Sequence, residues 1–363
     1  MPQPHRVPSA LRRRAVFLAA ACVLAVSALS LPFRAAAQTD PVPFEDGDSL
    51  ETIREKIARN GYRFTVAENW VTRLPAATRE AMRTRGSRAT AALRQNAAPL
   101  EATSGLPGAA SLPSAFDWRD VNGKSSIGAI RDQGTCGSCY AFAAVAAAEG
   151  AYNVATKRTG SNVANFSEQY LAFCLGTHGP YSANFDGCDG ADYSYTELYA
   201  LTQQGLTTEA VMPYTGVDNQ SCSLSDPPLI TFKSWGRVAC NDVAAIKAAI
   251  HTYGPVDVAV YVSSAFDAYA GGVYQDSLTT CPASDACYNT PTNHAVALVG
   301  WDDGDADTPG HWILRNSWGT AWGEAGYMRI AYTSARVACS AAYLTYPATA
   351  AGLAPGLYPL LMQ

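Results

Sequence analysis

The chain of 363 residues is long enough to bury a full hydrophobic core, and its 48% hydrophobic content is that of an ordinary globular protein. Its net charge of −5 is unevenly distributed, because the part from Pro113 onward carries 22 Asp and Glu against 11 Lys and Arg, a net charge of −11. No basic stripe is present, so the composition argues against a nucleic-acid partner and favours solubility.

The first 37 residues have the three parts of a secretory signal peptide. A basic start at Arg12–Arg14 precedes an apolar run from Ala15 to Leu31, and Ala35–Ala37 provides small residues for cleavage. The alternative is a membrane anchor, but the apolar run is at the short limit for a span and an A-x-A site follows it. We therefore expect no stable membrane anchor and a secreted, periplasmic or otherwise extracytoplasmic protein.

Residues 38–111 differ in composition from the rest of the chain, because they lack cysteine and are rich in Ala, Arg and Thr. The spacing of the apolar residues predicts a helix from Leu50 to Asn60, ended by Gly61, and a polar, arginine-rich helix is predicted over 76–94. Gly, Pro and Ser then accumulate, as in a linker. A slightly basic segment ahead of an acidic domain indicates a propeptide held partly by charge; the alternative is a solvated helix face.

The domain that begins near residue 112 changes from helical to β-rich along its length. Helices are predicted after Ser138, after Ser167 and over 242–253, with the two serines as N-caps. Strands are predicted over 256–262, 294–301, 311–316 and 327–332. A helical half followed by a β-rich half predicts an α+β fold of two lobes with a cleft between them. No role is assigned to the tail, residues 348–363.

The segment Gln133-Gly-Thr-Cys136-Gly-Ser-Cys139 runs directly into an alanine-rich helix. With Ser138 as N-cap, Cys139 lies in the first turn, where unpaired amides and the helix dipole favour a thiolate. Two interpretations compete: a thioredoxin-like redox pair, or a structural cysteine beside a nucleophilic one. Nine of the ten cysteines remain after signal removal, and an odd number in an oxidising compartment indicates one unbridged thiol, which favours the nucleophile.

A predicted hairpin carries the second group of chemically active residues. The apolar stretch that starts at His294 and the strand that ends at Asn316 flank a turn over 302–309. Pairing Gly300 with Gly310 sets His294 opposite Asn316, close enough for an amide oxygen to orient the imidazole. A lone histidine at a strand start is usually a packing or surface residue, but the facing asparagine and the helix-start cysteine indicate a catalytic group.

Together these motifs resemble those of the papain family of cysteine peptidases. The family signature C-G-[SA]-C-[WY] matches Cys136–Tyr140, with tyrosine in place of the usual tryptophan, and His294 and Asn316 follow Cys139 by 155 and 177 residues. Further matching blocks are Phe116-Asp-Trp-Arg119, Phe166-Ser-Glu-Gln169, Gly187-Cys-Asp-Gly190 and Asn316-Ser-Trp-Gly-Thr-Ala-Trp-Gly-Glu324.

The resemblance covers residues 112–347 and implies a helical left lobe, a β-barrel-like right lobe and an active-site cleft between them. It implies a cysteine peptidase made as an inactive precursor, with a signal peptide over 1–37 and a propeptide over 38–111. No insertion that would block one end of the cleft is evident, which favours an endopeptidase over an exopeptidase. The implied partners are protein or peptide substrates and the chain's own propeptide, and neither a cofactor nor a metal is implied.

The resemblance assigns a role to each matching residue of the site. Cys139 would be the nucleophile, paired with His294, which protonates the leaving amine and then activates water. Asn316 would orient His294, and Trp318 would shield their hydrogen bond from water. Gln133 and the backbone N–H of Cys139 would form the oxyanion hole.

The resemblance also implies disulfides and a substrate-binding region. The implied bridges join Cys136 to Cys188, Cys174 to Cys222 and Cys281 to Cys339. Cys240 and Cys287 have no clear family counterpart, so other pairings of the last four cysteines stay open. The substrate backbone would bind at Gly190 and Ala191, and an uncharged pocket for the residue before the acyl residue would consist of Tyr193, Ala259, Thr292, Ala295 and Tyr343.

Two other classes of function remain to be weighed. A thiol–disulfide oxidoreductase requires Cys136 outside a structural bridge, so a Cys136–Cys188 disulfide excludes it. A catalytically inactive binding protein would have lost a member of the Cys139, His294 and Asn316 triad, and none is lost in the sequence.

Overall fold

The computed structural model describes residues 40–83, 112–192, 195–218, 221–222, 229–279, 281 and 291–347. The predicted signal peptide and the C-terminal tail therefore lie outside the described residues. The chain divides into one unit over Met1–Asp40 and another over Pro41–Gln363, and all the elements below belong to the second unit. Within the described ranges, no helix is both long and apolar enough to cross a membrane.

Most of the helical residues precede most of the strand residues, as predicted, although three strands lie before the last two helices. The helices are α1 (Leu50–Asn60), α2 (Ala76–Ala81), α3 (Cys139–Thr156), α4 (Thr196–Gln203), α5 (Val243–Tyr253) and α6 (Ser264–Asp267), with a π-helical segment over Tyr170–Thr177. The strands are β1 (Thr65–Val66), β2 (Ala115–Asp117), β3 (Ser234–Val238), β4 (Val256–Val260), β5 (Tyr269–Gly271), β6 (Val273–Tyr274), β7 (His294–Asp302), β8 (His311–Arg315), β9 (Tyr327–Ala331) and β10 (Ala341–Thr345).

Helix α1 has the predicted bounds for local reasons. The side chain of Ser49 accepts a hydrogen bond from the Thr52 amide, and Gly61 ends the helix in the left-handed conformation at φ 72°. The predicted helix over 76–94 is shorter where it is described, since α2 ends at Ala81. The rest of that prediction, from residue 84 onward, falls outside the described residues.

One sheet forms the β-rich half of the fold. Its strands follow the order β3-β10-β4-β7-β8-β9-β6, with β2 added beside β7. Most neighbours are antiparallel, whereas β6 and β9 run parallel. In the described residues this path does not close on itself, so the right lobe that the resemblance implied as barrel-like is an open sheet. Strands β1 and β5 form a separate antiparallel pair that joins the segment before residue 112 to the domain.

The predicted register of the β7–β8 hairpin is wrong. Gly300 pairs with Ile313 rather than Gly310, and Ala297 pairs with Arg315. A bulge between Leu298 and Gly300 inserts one extra residue in β7. The pairing also continues closer to the turn than predicted, because Asp302 pairs with His311 and only residues 303–310 remain between the two strands.

Two buried clusters lie on either side of the sheet. The helical-lobe cluster contains the alanine face of α3, the π-helical segment, α4, and small sheet residues such as Ala295 and Ala342. The sheet-lobe cluster contains the opposite sheet face, α5 and a group of tryptophans, together with Ile53, Phe64 and Met82 from the segment before residue 112. That segment therefore completes part of the core of the domain.

Gly150 lets helix α3 approach the sheet closely. A Cβ atom at this position would lie 2.1 Å from Cδ of Pro255, just before β4. No side chain can be accommodated there unless the helix and the Gly254–Pro255 turn separate. The distance between helix α3 and the sheet matters for the site. Cys139 is at the start of this helix, and His294 is at the start of β7, the neighbour of β4.

We expect Gly150→Ala to destabilise the protein, although alanine favours helices, because overpacking costs about 1–3 kcal/mol. Gly128→Ala is the matched control, since its nearest neighbour would lie at 3.5 Å, an ordinary contact distance. Urea unfolding of both variants measures the difference. A Gly150→Ala protein at least as stable as Gly128→Ala would contradict the close approach.

Candidate active site

Cys139 is the first residue of α3 and is fully buried. It takes part in no disulfide, unlike the other described cysteines. Ser138 occupies the predicted N-cap position, but its side chain makes no capping bond. Its hydroxyl bonds the Tyr214 hydroxyl at 2.7 Å, and Tyr214 in turn donates to the Gln133 carbonyl oxygen. The positive end of the helix therefore carries no side-chain cap and no acidic group that would oppose a thiolate.

His294 and Asn316 meet as the sequence predicts, although the register differs. Nε2 of His294 lies 2.8 Å from Oδ1 of Asn316, and both residues are buried. The same oxygen accepts a hydrogen bond from the Ser317 amide, which identifies it as the acceptor. An amide oxygen only accepts, so Nε2 carries the proton and the neutral ring keeps its basic lone pair on Nδ1. Within the described residues, Nδ1 has no hydrogen-bond partner.

Trp318 covers the imidazole of His294. The two ring centroids are 4.7 Å apart at an interplanar angle of 31°, and Trp318 is 1% exposed. Phe266 adds an edge contact to Trp318 at 6.1 Å. The hydrogen bond between His294 and Asn316 is therefore enclosed by aromatic rings, which exclude water that would compete for it.

The pKa of His294 is strongly lowered in this arrangement. Burial lowers the pKa of His294 from its ordinary 6.5 to about 3; the hydrogen bond that His294 donates to Asn316 opposes this shift, and the positive charge of Arg83 adds to it. The lowered pKa favours the neutral imidazole while residues 81–83 cover the site.

Gln133 is buried and oriented at both ends of its amide. Its Oε1 accepts a 2.6 Å hydrogen bond from Oγ of Ser317, so its Nε2 faces the cleft. Nε2 donates to the carbonyl oxygens of Met82 at 2.7 Å and Cys136 at 2.8 Å. The backbone N–H of Gln133 also donates a hydrogen bond to the Ser317 carbonyl oxygen. Ser317 was not identified from the sequence, although it stands next to Asn316 in the tryptophan–glycine block.

Residues 81–83 of the segment before the domain lie across these groups. A side chain on Gly137 would collide with the carbonyl oxygens of Cys188 and Ala81, so the segment passes directly over this glycine. Met82 is fully buried, and Arg83 forms a buried ion pair with Asp267. Sequence reasoning identified a basic propeptide but not these contacts, which depend on where the chain crosses the cleft.

The segment is anchored well away from the cleft as well. Thr65 and Val66 pair with Gly271 and Tyr269 in the small β1–β5 sheet. The indole Nε1 of Trp70 donates a 2.9 Å hydrogen bond to the Trp318 carbonyl oxygen. The covering residues are therefore fixed on the strand side of the site before they reach Gln133.

The structure contains the three disulfides that the resemblance implied. Bridges join Cys136 to Cys188, Cys174 to Cys222 and Cys281 to Cys339. Cys240 is also disulfide-bonded, and its partner lies outside the described residues. Because Cys136 is bridged to Cys188, it cannot form a redox pair with Cys139, and the oxidoreductase interpretation is wrong. Next to the Cys136–Cys188 bridge, the Tyr140 hydroxyl donates a hydrogen bond to the Gly187 carbonyl oxygen.

The predicted substrate pocket is only partly assembled. Ala191 and Ala295 belong to the helical-lobe cluster, Gly190 is buried beside Ala191, and Ala259 faces Ala295 across β4 and β7. Thr292 is half-buried just before β7, and Tyr193 lies outside the described residues.

The prediction for Tyr343 is wrong. Its side chain stacks on Tyr253 at 4.8 Å, on the sheet face opposite Ala295. Because side chains alternate along a strand, its neighbour Ala342 points to the pocket side instead. The sequence alone did not show which of these two adjacent residues lies on the same side of the sheet as Ala295.

The sequence analysis also did not predict two buried acidic groups near the pocket residues. Asp257 shares a strand face with Ala259, and it is fully buried like Glu197 of α4. Burial, together with the charge of Glu197, raises the pKa of Asp257 well above its usual range. Burial raises the pKa of Glu197 to about 8, so both groups favour the neutral form in acid.

The chain is similar to known cysteine proteases in sequence. A family model described as papain family cysteine protease matches residues 112–347. "Cysteine proteinase 1" of Entamoeba histolytica is 38% identical over 221 residues, which are 60% of this chain and 63% of that one. Mouse "Pro-cathepsin H" is 34% identical over 228 residues, 62% of each chain. The match thus spans about three fifths of the length of these relatives.

Solved structures extend the similarity toward the start of the chain. Procathepsin L2 from the larval midgut of Tenebrio molitor is 28% identical with a TM-score of 0.66, covering 82% of this chain and 89% of that one. The bromelain protease of Ananas comosus in complex with an inhibitor, 27% identical with a TM-score of 0.53, covers 65% of this chain and 100% of that one. On this evidence, the chain belongs to the papain family of cysteine proteases.

Proposed function

We propose that the protein is an extracytoplasmic cysteine endopeptidase, made as a precursor that residues 38–111 keep inactive. The observation that carries the proposal is the hydrogen bond between His294 and Asn316, which leaves Nδ1 as the basic nitrogen, together with the unbridged Cys139 at a helix start. Membership of the papain family supports the same assignment.

In the proposed mechanism, Nδ1 of His294 takes the Cys139 proton and the thiolate attacks the carbonyl carbon of the scissile peptide. The negative charge that forms on the carbonyl oxygen is stabilised by Nε2 of Gln133 and the backbone N–H of Cys139. His294 then protonates the leaving amine, which departs and leaves a thioester on Cys139. His294 next takes a proton from water as the water oxygen attacks the thioester carbonyl carbon; the C–S bond breaks, the carboxylic acid is released, and the proton on His294 returns to the sulfur of Cys139.

The precursor would be inactive for two physical reasons. The Met82 carbonyl oxygen already accepts the hydrogen bond of Gln133, so a substrate carbonyl is excluded from this donor. Burial and Arg83 also hold the pKa of His294 at about 3, which disfavours the imidazolium that a thiolate–imidazolium pair requires. Departure of residues 81–83 relieves both effects together.

The central test is labelling of the processed protein with iodoacetamide at about pH 5 without reductant, where ordinary thiols barely react. We expect one rapid label on Cys139 and loss of peptide hydrolysis in the same time course. Cys139→Ala, as control, takes no label and has no activity. An unlabelled Cys139, or hydrolysis that survives Cys139→Ala, would instead favour an inactive binding protein or another nucleophile.

Ser317→Ala should reduce kcat/KM by about tenfold, because Gln133 then loses the hydrogen bond that orients its amide. Gln133→Ala should cost about 10²–10³-fold, mostly in kcat. The double variant should be no worse than Gln133→Ala, since both changes remove one function. Steady-state kinetics on one peptide measure all three, and additive losses would show that Ser317 does not act through Gln133.

Acid should favour departure of the inhibitory segment, and the sign follows from His294. Its pKa is about 3 when covered and 6.5 in its ordinary state, so falling pH favours any state in which it is uncovered. Between these two pKa values, each pH unit lowers the free energy of uncovering His294 by about 1.4 kcal/mol. Hydrogen exchange of the α1 amides in the Cys139→Ala precursor, corrected for intrinsic rates, should show increased opening from pH 6.5 downward.

The matched variant is Cys139→Ala combined with His294→Gln, which cannot titrate at this position. Opening of the segment in this variant should take up about one proton fewer than in the precursor that keeps His294, so its free energy should depend less steeply on pH. Equal slopes in the two precursors would show that carboxylates, and not His294, make the segment acid-sensitive.

A further inference from the structure

Asp267, at the end of α6, is 2% exposed and faces two arginines. Its Oδ2 lies 2.5 Å from Nη2 of Arg83 and 3.4 Å from Nε of Arg79. Both arginines belong to the inhibitory segment. In the described part of residues 112–347, no cation lies within ion-pair distance of Asp267. Its other oxygen, Oδ1, is buried and has no hydrogen-bond partner among the described residues.

Processing therefore removes every described cation that compensates Asp267. A carboxylate in such a place is costly without a partner, and it is stabilised by any cation that reaches it. Among the described residues of the domain, Trp322 bonds only the backbone of Asp267, since its indole Nε1 donates to the Asp267 carbonyl oxygen and not to the carboxylate. Since the described part of the domain offers no such cation, a cationic group of a ligand in the cleft is the partner that can replace Arg83.

Arg83 enters this position next to the reacting groups. It follows Met82, whose carbonyl oxygen bonds Nε2 of Gln133 at 2.7 Å. The Asp267 carboxylate is therefore within one residue's reach of a peptide that lies on the oxyanion-hole donor. An arginine of a substrate that lies near this donor can reach the same carboxylate.

Asp267 lies on the Trp318 side of the site. Phe266, its neighbour in α6, packs against His294 at 6.5 Å and Trp318 at 6.1 Å, within the sheet-lobe cluster. Ala191 and Ala295 of the predicted acyl-side pocket belong to the helical-lobe cluster. The catalytic residues thus separate Asp267 from that pocket, which assigns it to the leaving-group side.

We propose that Asp267 determines specificity in the processed enzyme by binding the side chain of a substrate arginine or lysine on the leaving-group side of the scissile bond. The inference rests on the proposed endopeptidase function and adds a substrate class to it. Arginine should be preferred to lysine, because its planar fork can satisfy both Oδ1 and Oδ2.

The test measures kcat/KM of the processed wild-type enzyme on quenched-fluorescence peptides that differ in one residue. Arginine, lysine, glutamine and citrulline are placed in turn at the first and second positions on the leaving-group side, and at the first two acyl-side positions. Citrulline matches arginine in size but carries no charge. We expect arginine to exceed citrulline by about tenfold at one leaving-group position, and the ratio to fall at high salt.

Asp267→Asn should reduce the arginine-to-citrulline ratio to about one. Asp120→Asn is the charge-matched control: Asp120 is exposed, its Oδ1 accepts from the Gly123 amide, and asparagine keeps that acceptor. Its ratio and activity should equal those of the wild type. A ratio near one in the wild type, a ratio that survives Asp267→Asn, or a preference confined to the acyl side would overturn the inference. If the wild type hydrolysed none of the peptides, the proposed function itself would fail.

Discussion

The hydrogen bond between His294 and Asn316 is the constraint on which the rest of the site depends. It determines which imidazole nitrogen is basic, and it requires the start of β7 and the end of β8 to lie together. The next two residues extend the same constraint, since Ser317 holds the amide of Gln133 and Trp318 covers the imidazole. Three consecutive residues after β8 thus connect the proposed base, the ring that covers it and the proposed oxyanion-hole donor, and a shift of this segment would displace all of them.

The inhibitory segment uses the same groups that the proposed chemistry needs. A peptide carbonyl accepts from Gln133, an arginine raises the positive potential near His294, and a buried methionine excludes water. Desolvation links these contacts to protonation, because a covered imidazole loses the hydration that stabilises its cation. In the proposed mechanism, inhibition and acid sensitivity therefore have one physical origin, and neither requires a separate regulatory site.

The fold gives the acidic residues of the domain different surroundings. The acidic domain presents Asp267 to the arginines of the segment, while Asp257 and Glu197 are buried behind the substrate region without a cation among the described ion pairs. Burial raises the pKa of all three carboxyl groups, but at Asp267 the charges of Arg83 and Arg79 oppose this shift. These acidic residues thus differ because burial and nearby charges, and not residue type alone, determine the pKa of each.

Local sequence determined most elements of this protein and the residues proposed for its chemistry. The caps of α1 and α5, the helix that starts at Cys139 and the four predicted strands follow from short-range patterns, and the family motifs assign Cys139, His294, Asn316 and Gln133. Tertiary structure decided what depends on pairing between distant residues. A bulge altered the β7–β8 register, strand alternation turned Tyr343 away from the pocket, and the crossing of residues 81–83 placed Arg83 on Asp267. Such contacts join residues far apart in the chain, and only the packed fold determines which of them meet.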